Sequence, residues 1–284
     1  MKKKNDKIAG DILIFSEKES NVISREVLRL RDQWIRRGPE ISSLFHVFFS
    51  LGAASSTDAA LSLSEYVSRA SETNVLLESK FQWVYERIEE KLSSKIGPCK
   101  IERALAYPGF HIFHIPLFLK LVPDLILEKM VGGNVDTITP VVHYDLQHRY
   151  LSKHWRNYKS FDFDKTLSFT IPVMMPTAGT GINLFKLDRI RSHENPSAFF
   201  KNGGEDILTR GSKNSICFNS LQRLDVLEDW EKFSIEYRSG VCFYHTGKIL
   251  HQANITRENM RPGEHRITIQ GHGVLCDGVW RLYF

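Results

Sequence analysis

Near residue 100 the rhythm of apolar side chains changes, and that change constrains the fold more than any other feature of the chain. Before it, apolar residues recur at helical spacing: Ile23, Val27, Leu30 and Trp34 form one stripe stopped by Gly38-Pro39, and Leu77, Phe81, Val84, Tyr85, Ile88 and Leu92 form a longer one that ends before Gly97-Pro98. The apolar segments 41–51 and 61–67 belong to the same mostly helical region. After it, short alternating runs are separated by turn chemistry: Gly132-Gly133-Asn134, Ala178-Gly179-Thr180-Gly181, Asn202-Gly203-Gly204 and Arg261-Pro262-Gly263. Candidate strands cover 109–115, 137–145, 167–174, 182–185, 216–219, 240–245, 265–274 and 279–283. Strands with such irregular connections predict an α+β fold, a jelly-roll or cupin-like barrel buttressed by N-terminal helices, rather than alternating β-α units. With no repeat or linker in view, 1–284 reads as a single domain: 1–100 is mainly helical support and 101–284 is the barrel.

Composition removes several classes. Hydrophobic residues make up 42% and charged residues 25%, which excludes disorder, collagen and coiled coil. A formal charge of +5 is too small and too scattered for a nucleic-acid surface. Cys99, Cys217, Cys242 and Cys276 lie far apart with no C-x-x-C pair, so reduced thiols are expected. The apolar tract 110–127 is broken by His111, His114, Pro116, Lys120, Pro123 and Asp124 and cannot cross a bilayer as one helix. The apolar stretch 8–15 behind Lys2-Lys3-Lys4 is short and holds Asp11, so no signal peptide and no membrane contact are expected, and the cytoplasm is the expected compartment.

Three separated pieces carry chemistry. In Val141-Val142-His143-Tyr144-Asp145, β-branched residues lead into His-x-Asp; on a strand, His143 and Asp145 share a face and can bind one ion together. A strand from Gly240 runs through a turn containing Gly247 and delivers His251. In His265-Arg266-Ile267-Thr268-Ile269-Gln270, the polar residues Arg266, Thr268 and Gln270 share a face. Two imidazoles and one carboxylate on one side of an iron leave positions open for reaction, and a nearby guanidinium can grip a carboxylate bidentately.

In this order the motifs resemble the Fe(II)/2-oxoglutarate-dependent dioxygenase superfamily, whose H-x-D…H…R pattern lies on a double-stranded β-helix; the resemblance spans roughly 107–284, and small-molecule hydroxylases of the phytanoyl-CoA hydroxylase type are the nearest group. It implies His143, Asp145 and His251 as Fe(II) ligands, Arg266 for the C5 carboxylate of 2-oxoglutarate, and Thr268 as a further hydrogen-bonding partner. It also implies consumption of O2, oxidative decarboxylation of 2-oxoglutarate to succinate and CO2, and hydroxylation, desaturation or cyclisation of a small metabolite. Halogenating relatives lack the carboxylate ligand, so Asp145 disfavours halogenation.

Rivals stand beside each of these residues. His245 competes with His251, and Arg257 and Arg261 compete with Arg266; a strand arginine between isoleucines needs a cavity or an acid, whereas loop arginines are usually solvated. His265 points to the opposite face from Arg266, and His272 shares that face but lies further along, as a structural or supporting residue. Gln147, His111 and Phe113 are candidate substrate contacts, with an exposed strand end and aromatic core packing as their plainer readings. Arg29, Arg31, Arg36 and Arg37 read as solvated surface, and Gly179-Thr180-Gly181 as a turn. Two other functions remain open: a peptide or protein side-chain hydroxylase using the basic segment 186–214, and a cupin-like protein that binds an ion or ligand without turnover.

Overall fold

A computed structural model of the chain describes residues 9–37, 48–58, 62–115, 142–187, 217–218, 230–255 and 260–284. Strand β1 (Ala9–Leu13) precedes helix α1 (Glu17–Arg29), followed by β2 (Ile35–Arg36), β3 (Phe48–Leu51) and the long helix α2 (Leu63–Ile96). Then come β4 (Cys99–Ile101), β5 (Gly109–His114), β6 (Val142–His143), a 3-10 turn at Gln147–Arg149 and the short helix α3 (Ser152–Trp155). The rest is strand: β7 (Phe161–Met174), β8 (Gly181–Leu187), β9 (Cys217–Phe218), β10 (Trp230–Glu236), β11 (Val241–His245), β12 (Leu250–Asn254), β13 (His265–Cys276) and β14 (Val279–Tyr283).

Local chemistry sets the helix ends. Ser16 Oγ accepts from the Glu19 N–H at 3.3 Å while Ser16 N donates to Glu19 Oε2 at 2.8 Å, a reciprocal cap that starts α1. Ser62 Oγ caps α2 by accepting from the Glu65 N–H, without the reciprocal bond, and Gly97, at φ 100°, lets the chain leave that helix. No helix among the described residues is long and apolar enough to cross a membrane.

Two largely antiparallel sheets form. The larger runs β1-β11-β7-β13-β5-β3-β2, with β14 beside β13 and β4 parallel to β14; the smaller runs β10-β8-β12-β6-β9. Alternation along the large sheet separates two environments. Leu167, Phe169, Ile171 and Val173 of β7, Ile267 and Ile269 of β13, and Phe110 and Ile112 of β5 pack with Ile23 and Val27 of α1 and Leu77, Phe81, Val84 and Ile88 of α2. Each such side chain taken from water contributes about 1.5–3 kcal/mol. The residues between them, including Thr166, Ser168, Thr170, Arg266 and Thr268, are polar yet buried, and they lie on the other face.

The expected strands after residue 100 are present within the described residues, several with shifted ends; of 137–145 only Val142–His143 is strand, Tyr144 and Asp145 lie beyond it, and 137–141 are outside the described residues. The first hundred residues are less helical than expected. Phe48–Leu51, part of the segment read as helical, is β3, paired with β5, and β1, β2 and β4 also join the large sheet. Their backbones gain ladder partners there, and Ile12, Phe49 and Ile101 gain a place against the core, which outweighs local periodicity. Strands β10 and β12 were also not anticipated. Cys99, Cys242 and Cys276 are buried free thiols, as expected for reduced cysteines.

Arg37 corrects the surface reading: it is buried. Its Nε donates to Ser50 Oγ at 2.8 Å, and Nη1 and Nη2 donate to Asp58 Oδ1 and Oδ2 at 2.6 and 2.8 Å. Nη1 also reaches Thr57 Oγ1 and Nη2 the Gly52 carbonyl, so the guanidinium ties β2 and β3 to the segment entering α2. Burial pushes the Asp58 carboxyl up, but the Arg37 hydrogen bonds and charge, the Ala54 N–H and Arg69 outweigh it and hold the group below its ordinary value. A carboxyl depressed on folding stabilises above its unfolded pKa of about 3.9 and loses that contribution as pH falls through the folded value. Asp58→Asn is therefore expected to lower unfolding free energy by about 3–5 kcal/mol at pH 7, because it strands a buried cation. Urea melts at pH 7 and pH 3.5 check this: the deficit should shrink at the lower pH.

Candidate metal centre

Strands β6 and β12 bring the first two ligand candidates together, because their only register pair among the described residues is His143 opposite His251. The two rings stand 4.4 Å apart. Asp145 follows where β6 has ended, and its N–H donates to the Gly247 carbonyl at 3.0 Å, which fastens it to the turn between β11 and β12. A Cβ on Gly247 would stand 2.6 Å from the Asp145 carbonyl oxygen and 3.2 Å from Thr166 Oγ1, so this approach requires glycine.

Asp145 is the centre of the cluster. His251 Nε2 lies 3.4 Å from Oδ2 and His143 Nε2 lies 3.6 Å from Oδ1. One ligand atom from each of these three residues lies within 4.8 Å of the others. Ligands about 2.0–2.2 Å from one ion sit roughly 3 Å apart on its face, so small rotations complete the set. His251 Nδ1 sits 2.9 Å from the Ile249 carbonyl; an N–H donated there leaves the Nε2 lone pair for a metal. Gln147 Nε2 donates to Asp145 Oδ1 at 3.2 Å, and His272 Nδ1 lies 3.8 Å from Oδ2.

The protonation states suit a divalent cation. Burial, with help from His143 and His245, lowers His251 to about 3 against the pull of Asp145. Burial opposes the charge on Asp145, but His251, His272, His143 and His245 together hold its carboxyl well below the usual range. At neutral pH the set offers a bare imidazole nitrogen and an anionic oxygen, the forms that bind metal.

A second feature lies along β13. Arg266 is 0% exposed, and its Nε donates to Thr180 Oγ1 at 3.0 Å. Nη1 and Nη2 are buried and have no hydrogen-bond partner among the described residues. The guanidinium carbon lies 5.6 Å over the Phe113 ring and 5.5 Å over that of Tyr237, so apolar faces flank it while its outer donors stay free. Burial brings Arg266 down to about 10, with Tyr237 opposing, and it remains a cation at pH 7. Thr268, also 0% exposed, accepts from Gln270 Nε2 at 3.4 Å.

The structure thus brings His143, Asp145 and His251 together and buries Arg266 and Thr268 on the face of β13 that carries His272. Gln147 reaches Asp145 from a 3-10 turn, not from a continued strand. Phe113 and His111 lie opposite Arg266 and Thr268 across β5, and the His111 ring sits 4.9 Å from both Phe48 and Phe284. His265 stacks on His114 at 4.2 Å, on the other face from Arg266. Arg261 is exposed, and Arg257 lies outside the described residues. Sequence reasoning missed Thr180, taken as mere turn, which orients Arg266 from 86 positions away, and it undervalued His245, whose ring lies 4.6 Å from His251. No local pattern could have found either contact.

No family model matches the sequence, and no curated protein matches it. Among solved structures, an N-substituted L-amino acid dioxygenase from Burkholderia ambifaria AMMD in complex with alpha-KG is 12% identical, with 97% of this chain and 86% of that chain covered and a TM-score of 0.46. The non-heme alpha-ketoglutarate-dependent epimerase SnoN of nogalamycin biosynthesis is 12% identical, covering 93% and 76%, at 0.44. HygX from Streptomyces hygroscopicus with nickel and 2-oxoglutarate bound is 8% identical, covering 93% and 82%, at 0.41. Likeness this distant decides nothing about the reaction, and the side chains of the site carry the reading.

Because the Asp145–Gly247 contact leaves no room for a methyl group, Gly247→Ala is expected to push Asp145 out of line and weaken Co(II) binding at least about tenfold. Isothermal titration checks this, with far-UV circular dichroism unchanged.

Proposed function

We propose that this chain is a non-heme Fe(II)/2-oxoglutarate-dependent oxygenase built on a double-stranded β-helix, acting on a small metabolite in the cytoplasm. The observation that carries the reading is a His-Asp-His set together with a buried cation, Arg266, whose two terminal nitrogens have no partner among the described residues. The sheet orders β11-β7-β13-β5 and β10-β8-β12-β6, each antiparallel, support a jelly roll with the site between its sheets. Buried free thiols support a reducing compartment.

His143, Asp145 and His251 would hold the metal on one side, leaving the opposite side for ligands. Bound iron would supply activation of O2 coupled to oxidative decarboxylation of 2-oxoglutarate to succinate and CO2. Arg266 would pair with the C5 carboxylate through Nη1 and Nη2, held at the right rotation by Thr180, with Thr268 close by to hydrogen-bond. Phe113 and Tyr237 would exclude water from that pair and strengthen it. Gln147, His111 and Phe113 would meet the substrate or steady what meets it. A carboxylate in the ligand set leaves no place for a halide, so the outcome is hydroxylation, desaturation or ring closure.

The test incubates anaerobically purified protein with Fe(II), 2-oxoglutarate and O2 and measures succinate, which forms slowly even without substrate. Asp145→Ala should abolish it. Arg266→Met should raise the 2-oxoglutarate concentration needed by about a hundredfold, as expected when a buried charge pair is broken, and Thr180→Val should raise it about tenfold, since only the orienting acceptor is lost. Absence of succinate and of any metal binding that depends on Asp145 would overturn the assignment, and tight non-iron binding without oxygen uptake would favour a binding protein instead.

A further inference from the structure

The proposed metal set leaves one requirement open. A carboxylate ligand gives one oxygen to the ion, and unless its rotation is fixed the other swings it out of place. In Asp145 both oxygens face imidazoles, but the Nε2 atoms of His143 and His251 would turn toward the metal. Two other groups remain. Gln147 Nε2 donates to Oδ1 at 3.2 Å, and His272 Nδ1 lies 3.8 Å from Oδ2. His272 Nδ1 is buried and has no hydrogen-bond partner among the described residues, so a polar atom of β13 is held inside the protein next to a carboxylate oxygen.

We propose that His272 is a positioning residue for the metal centre, donating from Nδ1 to Asp145 Oδ2 and locking the carboxylate between itself and Gln147. The inference rests on the metal-binding reading above. The ring is set from both sides: β13 pairs His272 with Ser168 of β7 and with Tyr283 of β14, whose ring lies 5.7 Å away. Because Arg266 projects from the same face of the same strand, β13 fixes both the anion-pairing guanidinium and the orientation of the carboxylate, and so sets the spacing between them.

Asn and Leu are nearly equal in size, but only Asn can present an N–H where Nδ1 stands. Fe(II) affinity of the full chain, measured anaerobically, should fall about ten- to a hundredfold in His272→Leu, while His272→Asn should stay within about threefold of the parent. Pulsed EPR of the Cu(II)-loaded protein should count two coordinated imidazoles in the parent and in His272→Asn. Equal affinity in the Leu variant, loss beyond tenfold in the Asn variant, or a third imidazole that disappears with His272 would each overturn the proposal. If the Leu variant does not fold, the Asn affinity and the imidazole count still decide. A parent that binds no Fe(II) overturns the underlying reading as well, whereas a parent that binds it and a Leu variant that binds equally overturn this inference alone.

Discussion

The structure depends on the two-residue period of the large sheet. Neighbours on a strand must point to opposite faces, so β13 cannot present Ile267 and Ile269 to the helices without sending Arg266, Thr268 and His272 the other way. A slip of one residue would place the guanidinium in the dry layer under α1 and α2 and turn Ile267 and Ile269 to the polar face. The first costs several kcal/mol for an unpaired charge, and the second forfeits apolar burial. The helix-facing contacts therefore fix the register that makes a buried polar face possible on the other side.

Two buried arginines differ in how their donors are met. Arg37 spends its donors on Ser50, Thr57, Asp58 and the Gly52 carbonyl, and its charge is met by a carboxylate of the same chain. Arg266 spends one donor on the Thr180 hydroxyl and keeps its two terminal nitrogens unpaired among the described residues. Burying a guanidinium without an anion is costly, and on the proposed reading the carboxylate of 2-oxoglutarate meets that charge.

What the sequence made legible follows the same physics. His143, Asp145, His251 and Arg266 could be named in advance because their order along the chain resembles a known family pattern, with strand alternation and a glycine turn as context, and the structure brings the first three within reach of one another. Trp34 and Phe48–Leu51 were harder. The residues around them carry helix-like spacing, yet β2 and β3 pair with each other and β3 with β5, and ladder pairing depends on a partner far along the chain. Arg37 looked solvated because its partner Asp58 lies 21 residues away across a turn. Thr180 was passed over for the same reason, and the contacts of His245, weighed as a rival of His251, and of His272, read as a structural or supporting residue, come from β12 and Asp145 rather than from their own neighbours.

The charges of the site form a further constraint. Asp145 and Arg266 are opposite in sign and both buried, with Thr180 rather than a carboxylate on Arg266 and, beside Asp145, a His251 imidazole that burial keeps neutral. A divalent cation alone would leave this interior with an excess of positive charge, and a dicarboxylate alone would leave an excess of negative charge. Together they close the account to zero, one carboxylate against the metal and the other against Arg266. In a region of low polarisability such residual charge is expensive. On the proposed reading, metal and keto acid therefore each raise the affinity for the other, through a coupling that needs no movement of the fold.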